Sequence, residues 1–323
     1  LADFGEIAEG WSGRGIVILS GRPMYLANAY MNLCFIRRHL KCELPVEVWY
    51  LGRHERNERM FSAIGSLGGV KFVDAHEVQR IFPMKPNTMG CVHKGFAPAS
   101  TEGWRTKSYC LLHSGFREVI SLDSDCFLFQ KPEFLLHEFP PYLNTGAVFS
   151  ADIDTAPDTP RLVNPTTRIV SRLGAYTDRE WDYSRPNPMW GFLGLEEDDL
   201  PEFESGFMMV DKGRNVDAVF ASFYLNDESD FVYRYLYGDK DTFHLAWSFC
   251  RSPCHVIRDV SRERDHIVGR AMGATLFEHR VFTNKFDIEK EWDQSPNDNS
   301  FYMREEFLEY FNSAKKHSAL KIF

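Results

Sequence analysis

Glu118-Val119-Ile120-Ser121-Leu122-Asp123-Ser124-Asp125-Cys126-Phe127-Leu128-Phe129 is the stretch on which the reading of this chain turns. A run of strand length and mostly apolar character ends in two carboxylates at i and i+2, and apolar residues resume at once. Like charges this close repel, and partial burial adds a desolvation cost. A divalent cation resolves both problems, and an oxygen-rich site suits Mg²⁺ or Mn²⁺, which keep positions open for phosphate oxygens. A bare Asp-x-Asp also fits a turn in which one Asp caps a helix and the other faces solvent. The apolar residues on both sides favour the ligand site. An EF-hand loop does not fit, because Phe127 and Phe129 occupy positions where it needs oxygens. A haloacid-dehalogenase-type phosphatase, with Asp123 as nucleophile, remains the alternative from another class. Its motif continues with a small residue and Thr or Val near the start of a domain, whereas this one continues Cys126-Phe127 after several strands and helices.

Working outward, the pattern predicts strands over 16–20, 46–51, 70–73 and 119–122, separated by helices over 25–40, 55–66 and 107–114. The first of these helices closes on Arg37, Arg38 and His39, cations suited to a helix C-terminus. Strands alternating with helices at this rhythm imply a mostly parallel sheet covered on both faces. Such sheets bind ligands beyond the carboxyl ends of their strands. Ser20-Gly21-Arg22 and Asp123-Ser124-Asp125 both fall at strand ends and are therefore expected on one rim. The second half is less regular. Strands are expected over 143–151 and 203–210, and helices over 165–173, 216–225, 241–250 and 304–315, the last an amphipathic surface brace. The expected division is into halves 1–150 and 151–323, fused as one domain.

The chain has 323 residues, 44% hydrophobic and 15% aromatic, with a formal charge of -9. That is ample material for a large core. The acidic balance argues against nucleic acid, which needs a surplus of Lys and Arg. No apolar run approaches the ~20 residues that span a bilayer. The chain begins at Leu1 rather than Met, so a removed N-terminal anchor is an open expectation. Seven scattered cysteines form no Cys-x-x-Cys pair, and zinc at Cys250, Cys254 and His255 lacks a second ligand pair. The one near-sequon, Asn164-Pro165-Thr166, is blocked by proline.

Several blocks, in order, resemble a known family. They are Leu44-Pro45-Val46-Glu47-Val48-Trp49-Tyr50, Gly103-Trp104-Arg105-Thr106-Lys107-Ser108-Tyr109 with the segment from Leu111 to Asp125, Glu204-Ser205-Gly206-Phe207-Met208-Met209-Val210-Asp211, Gly238-Asp239-Lys240-Asp241-Thr242-Phe243-His244-Leu245-Ala246-Trp247, and 277–286. Together they are similar to the fungal-type α-mannosyltransferases that extend mannan and N-glycan chains, which are distantly glycogenin-like. The resemblance implies an α/β GT-A fold, a GDP-mannose donor, a glycan or glycoprotein acceptor, Mn²⁺ (or Mg²⁺), and transfer with retained configuration. It also implies a Golgi lumen location with the anchor missing from this chain, or the cytoplasm for a prokaryotic or viral source. UDP-glucose, UDP-galactose or UDP-xylose donors remain open, as does an inactive sugar-nucleotide-binding protein.

The resemblance assigns the metal to Asp123 and Asp125, with His279 as third ligand, Asp123 bridging to the donor ribose, and Lys285 reaching the diphosphate. Lys107 is expected against the donor phosphate or nucleotide, as suits a point-charge phosphate binder, with Arg105 as its alternative. Ser20, Gly21 and Arg22 are expected beside the nucleotide. Glu204 and Asp241 are the carboxylates expected near the sugar or acceptor, with Asp239 as a helix cap. A metal would act as Lewis acid as the diphosphate leaves. No nucleophile is evident, and front-face attack assisted by the leaving phosphate is the implied route.

Overall fold

The computed structural model describes residues 2–78, 85, 98–152, 187–233, 235–236, 238–263 and 266–280. Its strands are β1 (Arg14–Leu19), β2 (Val46–Tyr50), β3 (Val70–Asp74), β4 (Glu118–Asp123), β5 (Cys126–Leu128), β6 (Ala147–Ala151), β7 (Phe203–Asp211), β8 (His255–Ile257), β9 (Asp259–Glu263), β10 (His266–Ala271) and β11 (Ala274–Arg280). Among the described residues these make a seven-stranded sheet, ordered β3-β2-β1-β4-β7-β6-β8, and a four-stranded sheet, ordered β5-β11-β10-β9. In the large sheet β7 runs antiparallel to both neighbours, and the other pairings are parallel. The small sheet is antiparallel throughout. A mostly parallel α/β sheet flanked by helices is the GT-A layout expected from the sequence.

The parallel strands follow from short runs buried on both faces. Ile16, Val17, Ile18, Val46, Val48, Val119, Ile120 and Leu122 are at most 1% exposed. Each large apolar side chain so buried contributes about 1.5–3 kcal/mol relative to exposure. The helix Pro98–His113 lies across the sheet and ends on carbonyls that Lys212 caps from the end of β7. The Lys212 Nζ donates to Ser114 O at 2.9 Å and lies 4.3 Å from the Trp11 ring centre. A cation at a helix C-terminus satisfies carbonyls left without an in-helix donor.

Three expectations are corrected. The expected strand over 143–151 is a helix, Pro140–Thr145, followed by β6. Proline in the first turn starts it, and Gly146 at φ 73° ends it. The expected helix over 55–66 is a 3-10 turn, Arg53–Glu55, then a helix Glu58–Gly65 whose cap is Asn57, accepting from Met60 N. The helix expected to begin at 107 begins at Pro98. The helices expected over 165–173 and 304–315 lie outside the described residues. No described helix is long and apolar enough to cross a membrane.

Register places the rim. Leu19 pairs with both Trp49 and Asp123, and Tyr50 pairs with Asp74, so the carboxyl ends of β1 to β4 share one edge. Because β7 is antiparallel, with Phe207 opposite Leu122, its beginning returns to that edge. The pairing of β6 with β7 also slips between Phe149 and Ser150, from Met208 to Glu204. The extra β7 residues, Ser205 to Phe207, therefore bulge at the rim. Bulges re-aim side chains in this way beside functional sites.

Candidate active site

Asp123, the last residue of β4, and Asp125, in the turn to β5, face His279 of β11. The His279 Nε2 lies 3.4 Å from Asp125 Oδ1 and 3.6 Å from Asp123 Oδ2. The small sheet makes this meeting possible, since His279 pairs with Cys126 and the Arg280 amide donates to Asp125 O at 2.9 Å. Two residues from His279 on the same face of β11, Phe277 stacks on Phe207 with ring centres 4.9 Å apart. That contact clamps the two sheets together just behind the carboxylates.

Gly206 completes the clamp. A Cβ there would lie 2.6 Å from His279 Nδ1, so only glycine lets the imidazole rest on β7. The same Nδ1 edge of the ring faces Glu204, whose Oε1 lies 3.7 Å from Nδ1 and accepts from the Gly206 amide at 3.0 Å. Burial works against a charge on His279. The hydrogen bond and charge of Asp125, with the charges of Glu204 and Asp123, outweigh it and hold the imidazolium up to about 9. Burial also pushes the Glu204 carboxyl above its ordinary value, with His279 opposing. One ligand atom each from Asp123, Asp125 and His279 lies within 4.8 Å of the others. Neighbouring ligands of an octahedral ion with bonds of about 2.1 Å stand roughly 3 Å apart. Two carboxylates and an imidazole at this spacing fit Mn²⁺ or Mg²⁺ with little movement, leaving further positions for donor oxygens.

Lys107 lies on the other side of Asp123. Its Nζ is 2.7 Å from Asp123 Oδ1 and 3.3 Å from Asp239 Oδ2, and it donates to Ser205 Oγ at 2.9 Å and Ser205 O at 3.1 Å. Ser205 Oγ in turn donates to Asp239 Oδ2 at 2.9 Å. The ammonium is turned inward, toward a carboxylate wall. Burial opposes its charge, but Asp123 and Asp239 raise its pKa well above that of an ordinary lysine. One oxygen of Asp123 is thus tied to Lys107, while the other faces His279.

Asp239 is the residue whose role spacing concealed. It opens the helix Asp239–Cys250, its carboxylate makes no capping bond, and it joins Lys107 and Ser205 instead. Asp241, two residues on and so turned to another side of the helix, is half-buried, and its charge acts on Lys240. Lys240 itself pairs with the buried Asp152 at the end of β6. No motif marked Asp152, because its partner is far away in sequence.

Ser20 is buried where β1 ends, beside Asp123 in the register. Gly21 is required by Glu55, whose Oε2 would stand 1.8 Å from a Cβ there. The same carboxylate accepts from the Leu51 amide at 2.8 Å and lies 3.3 Å from Arg22 Nε. Arg22 has φ 63° and is half exposed. Lys285 lies outside the described residues. Arg105 is buried in the same helix as Lys107 and donates to Lys85 O. The six described cysteines are free, and burial pushes Cys250 and Cys254 thiols up to about 11.

No curated protein matches this sequence significantly. Among solved structures, the chain resembles core-mannan synthase A (CmsA/Ktr4) of Aspergillus fumigatus in its Mn/GDP form, at 13% identity and TM-score 0.47, over 96% of this chain and 86% of that one. It resembles the mannosyltransferase Ktr4p of S. cerevisiae at 15% identity and TM-score 0.48, over 96% and 82%. An active-site mutant of the galactosyltransferase LgtC is similar at 13% identity and TM-score 0.48, over 92% and 95%. A family model described as "Mannosyltransferase putative" matches residues 13–261, from before Ser20 to beyond Asp241, and the chain belongs to that mannosyltransferase family.

Proposed function

We propose that this chain transfers a hexose, mannose from GDP-mannose first among donors, to a hydroxyl of a glycan, with retained configuration and with Mn²⁺ or Mg²⁺ held by Asp123, Asp125 and His279. The observation that carries the reading is the meeting of these three side chains across two sheets at the rim of a mannosyltransferase-family fold. When bound, the ion supplies Lewis-acid stabilisation of the departing diphosphate. Within this reading the chain's own residues have distinct tasks. Lys107 fixes one oxygen of Asp123, leaving the other to face the ion site. Gly206 and Glu204 together back the Nδ1 edge of the imidazole. Ser205 and Asp239 form a polar wall beside Asp123, where sugar hydroxyls can exchange hydrogen bonds.

Ser20, Gly21 and Arg22 belong to the nucleotide side of the rim in this reading, and Lys285 to the diphosphate. Glu204 and Asp241 are assigned to the sugar and acceptor side in this reading. The mannose and guanine specificity rests on the sequence blocks alone, with UDP-sugars as the second donor class. A Golgi lumen location follows from the same blocks.

A thermal-shift screen of GDP- and UDP-sugars with Mn²⁺ tests the assignment. Ligand at 100 times its dissociation constant stabilises the folded state by about 2.7 kcal/mol, so the true donor raises the melting temperature measurably. A metal-dependent shift with GDP-mannose and none with UDP-sugars is expected. A shift with a UDP-sugar alone removes the mannosyl donor. Release of phosphate from a monoester, lost in Asp123→Asn, establishes the phosphatase instead.

A further inference from the structure

Three aromatic rings meet at the surface on separate short segments. Phe192 ends the helix Pro188–Phe192, Phe231 lies in the helix Ser229–Val232, and Tyr235 follows it. Their ring centres are 5.2 Å apart for Phe192 and Tyr235, 5.4 Å for Phe231 and Tyr235, and 5.6 Å for Phe192 and Phe231. They are not core. Phe192 is 57% exposed and Phe231 44%. An exposed cluster of large apolar rings costs solubility and marks a contact surface more often than chance.

The rings stand on a satellite core made by Met189, Trp190, Val232, Tyr233, Leu236 and Leu245, against which Trp104 packs. That core adjoins the active site. Trp104 lies on the helix that carries Lys107, and its ring edge touches Gly238, the residue before Asp239. Tyr235 and Asp239 are four positions apart in the chain, so their Cα atoms are at most about 14 Å apart. The patch and the carboxylate wall are therefore built on one continuous piece of structure, and a short oligosaccharide can span from one to the other.

The charges beside the rings select among occupants. Asp230 precedes Phe231, and Glu196 and Asp199 follow Phe192, with Glu196 and Asp199 exposed, while Glu228, three residues before Phe231, is paired with Lys85. Carboxylates in these places repel an anionic lipid surface and accept hydrogen bonds from hydroxyls. Flat aromatic faces match the C–H faces of pyranose rings, which combine an apolar face with a polar edge. We infer that Phe192, Phe231 and Tyr235 form an acceptor subsite that holds a sugar residue of the acceptor glycan remote from the reacting hydroxyl, so that longer oligosaccharides bind better than short ones. This rests on the transferase reading above for its link to the reaction, but not for the binding itself.

The test is calorimetric titration of an α-mannan oligosaccharide, and of free mannose, into the protein without donor. The unsubstituted chain is expected to bind the oligosaccharide and to bind mannose more weakly. The variant Phe192→Ala/Phe231→Ala is expected to lose about tenfold in oligosaccharide affinity, the size of one aromatic stacking contact. Phe192→Leu/Phe231→Leu keeps the apolar packing while removing the rings, and the same direction is expected there; it decides the matter if the alanine variant does not fold. Equal affinity in all three proteins, or no oligosaccharide binding by the unsubstituted chain, overturns the proposal. Self-association or vesicle binding lost in the variants, with oligosaccharide affinity unchanged, assigns the patch to a second copy or to a lipid surface and also overturns it. Metal-dependent donor hydrolysis by the unsubstituted chain is measured separately. Its absence removes the transferase reading while leaving the binding result to stand or fall by itself.

Discussion

The parallel half of the large sheet and the small antiparallel sheet meet at the same carboxylates, yet they are built on different principles. In the parallel half, β1, β2, β3 and β4 are short apolar runs joined by helices, and Asp123 sits where β4 runs out. Position in the chain and position in space nearly coincide there. In the small sheet, β5 follows the two aspartates directly, while its partner β11 arrives some 150 residues later, bringing His279 opposite Cys126. The first region offers charge at a rim common to many sheets. The second supplies the imidazole that turns this charge into a three-residue cluster able to hold a metal ion. The rim is generic, and the seam between the sheets makes it a candidate site.

Substitutions on either side of the seam break the comparison to different degrees. The largest effect is expected from Asp125→Asn, which removes the more deeply buried of the two Asp carboxylates proposed to hold the metal while keeping its shape. Transfer is expected to fall by about 10²–10³-fold, the scale on which a lost electrostatic contact acts. Titrating Mn²⁺ by thermal shift should then give a rise in melting temperature for the unsubstituted chain and none for the variant. An equal rise in both means the metal is held elsewhere.

Lys107→Met comes next and falls on the parallel side. It leaves Asp123 and Asp239 facing one another without their shared cation. Removing one partner from a buried ion pair costs about 3–5 kcal/mol. Urea denaturation should show that loss, and a cost below 1 kcal/mol would mean that water replaces the ammonium. On the seam, Gly206→Ala is expected to push the His279 ring off β7. Groups that orient a metal ligand matter at about 10–100-fold in metal affinity, with a smaller change in stability, since the Phe207–Phe277 stack remains. Calorimetric Mn²⁺ binding separates the two, and unchanged affinity would show that the histidine has room to shift.

The smallest effect is expected far from the seam, at Asp198. This half-buried carboxylate accepts from Ser248 Oγ at 2.5 Å and lies 2.9 Å from His244 Nε2. Burial alone would raise its pKa, but the hydrogen bonds from His244 and Ser248 outweigh it and hold the carboxyl below its ordinary value. The folded-state value is the lower one, so this stabilisation is complete above the ordinary carboxylate range and is lost as pH falls through the folded value. Asp198→Asn should lower stability slightly at neutral pH and leave it nearly unchanged in acid, so that the acid side of the profile flattens. A large loss at neutral pH would mean that the carboxylate does more than pin its loop.

The sequence by itself determined the parallel core and the rim. Residues 16–20, 46–51, 70–73 and 119–122 are legible because a strand buried on both faces must be a short apolar run, and its end is marked by the first charge. Asp123 and Asp125 were visible for the same reason. It also showed Glu204-Ser205-Gly206 as a block of small and acidic residues, but not why glycine is needed there. Tertiary structure alone decided that Asp239, rather than its neighbour at i+2, meets Lys107, because two carboxylates flanking Lys240 look alike until the helix is oriented. It alone turned Lys107 inward and paired Lys240 with Asp152. Above all it brought His279 to Asp125, since β-pairing between distant segments is set by register and packing across the sheet, and local spacing carries no record of the partner.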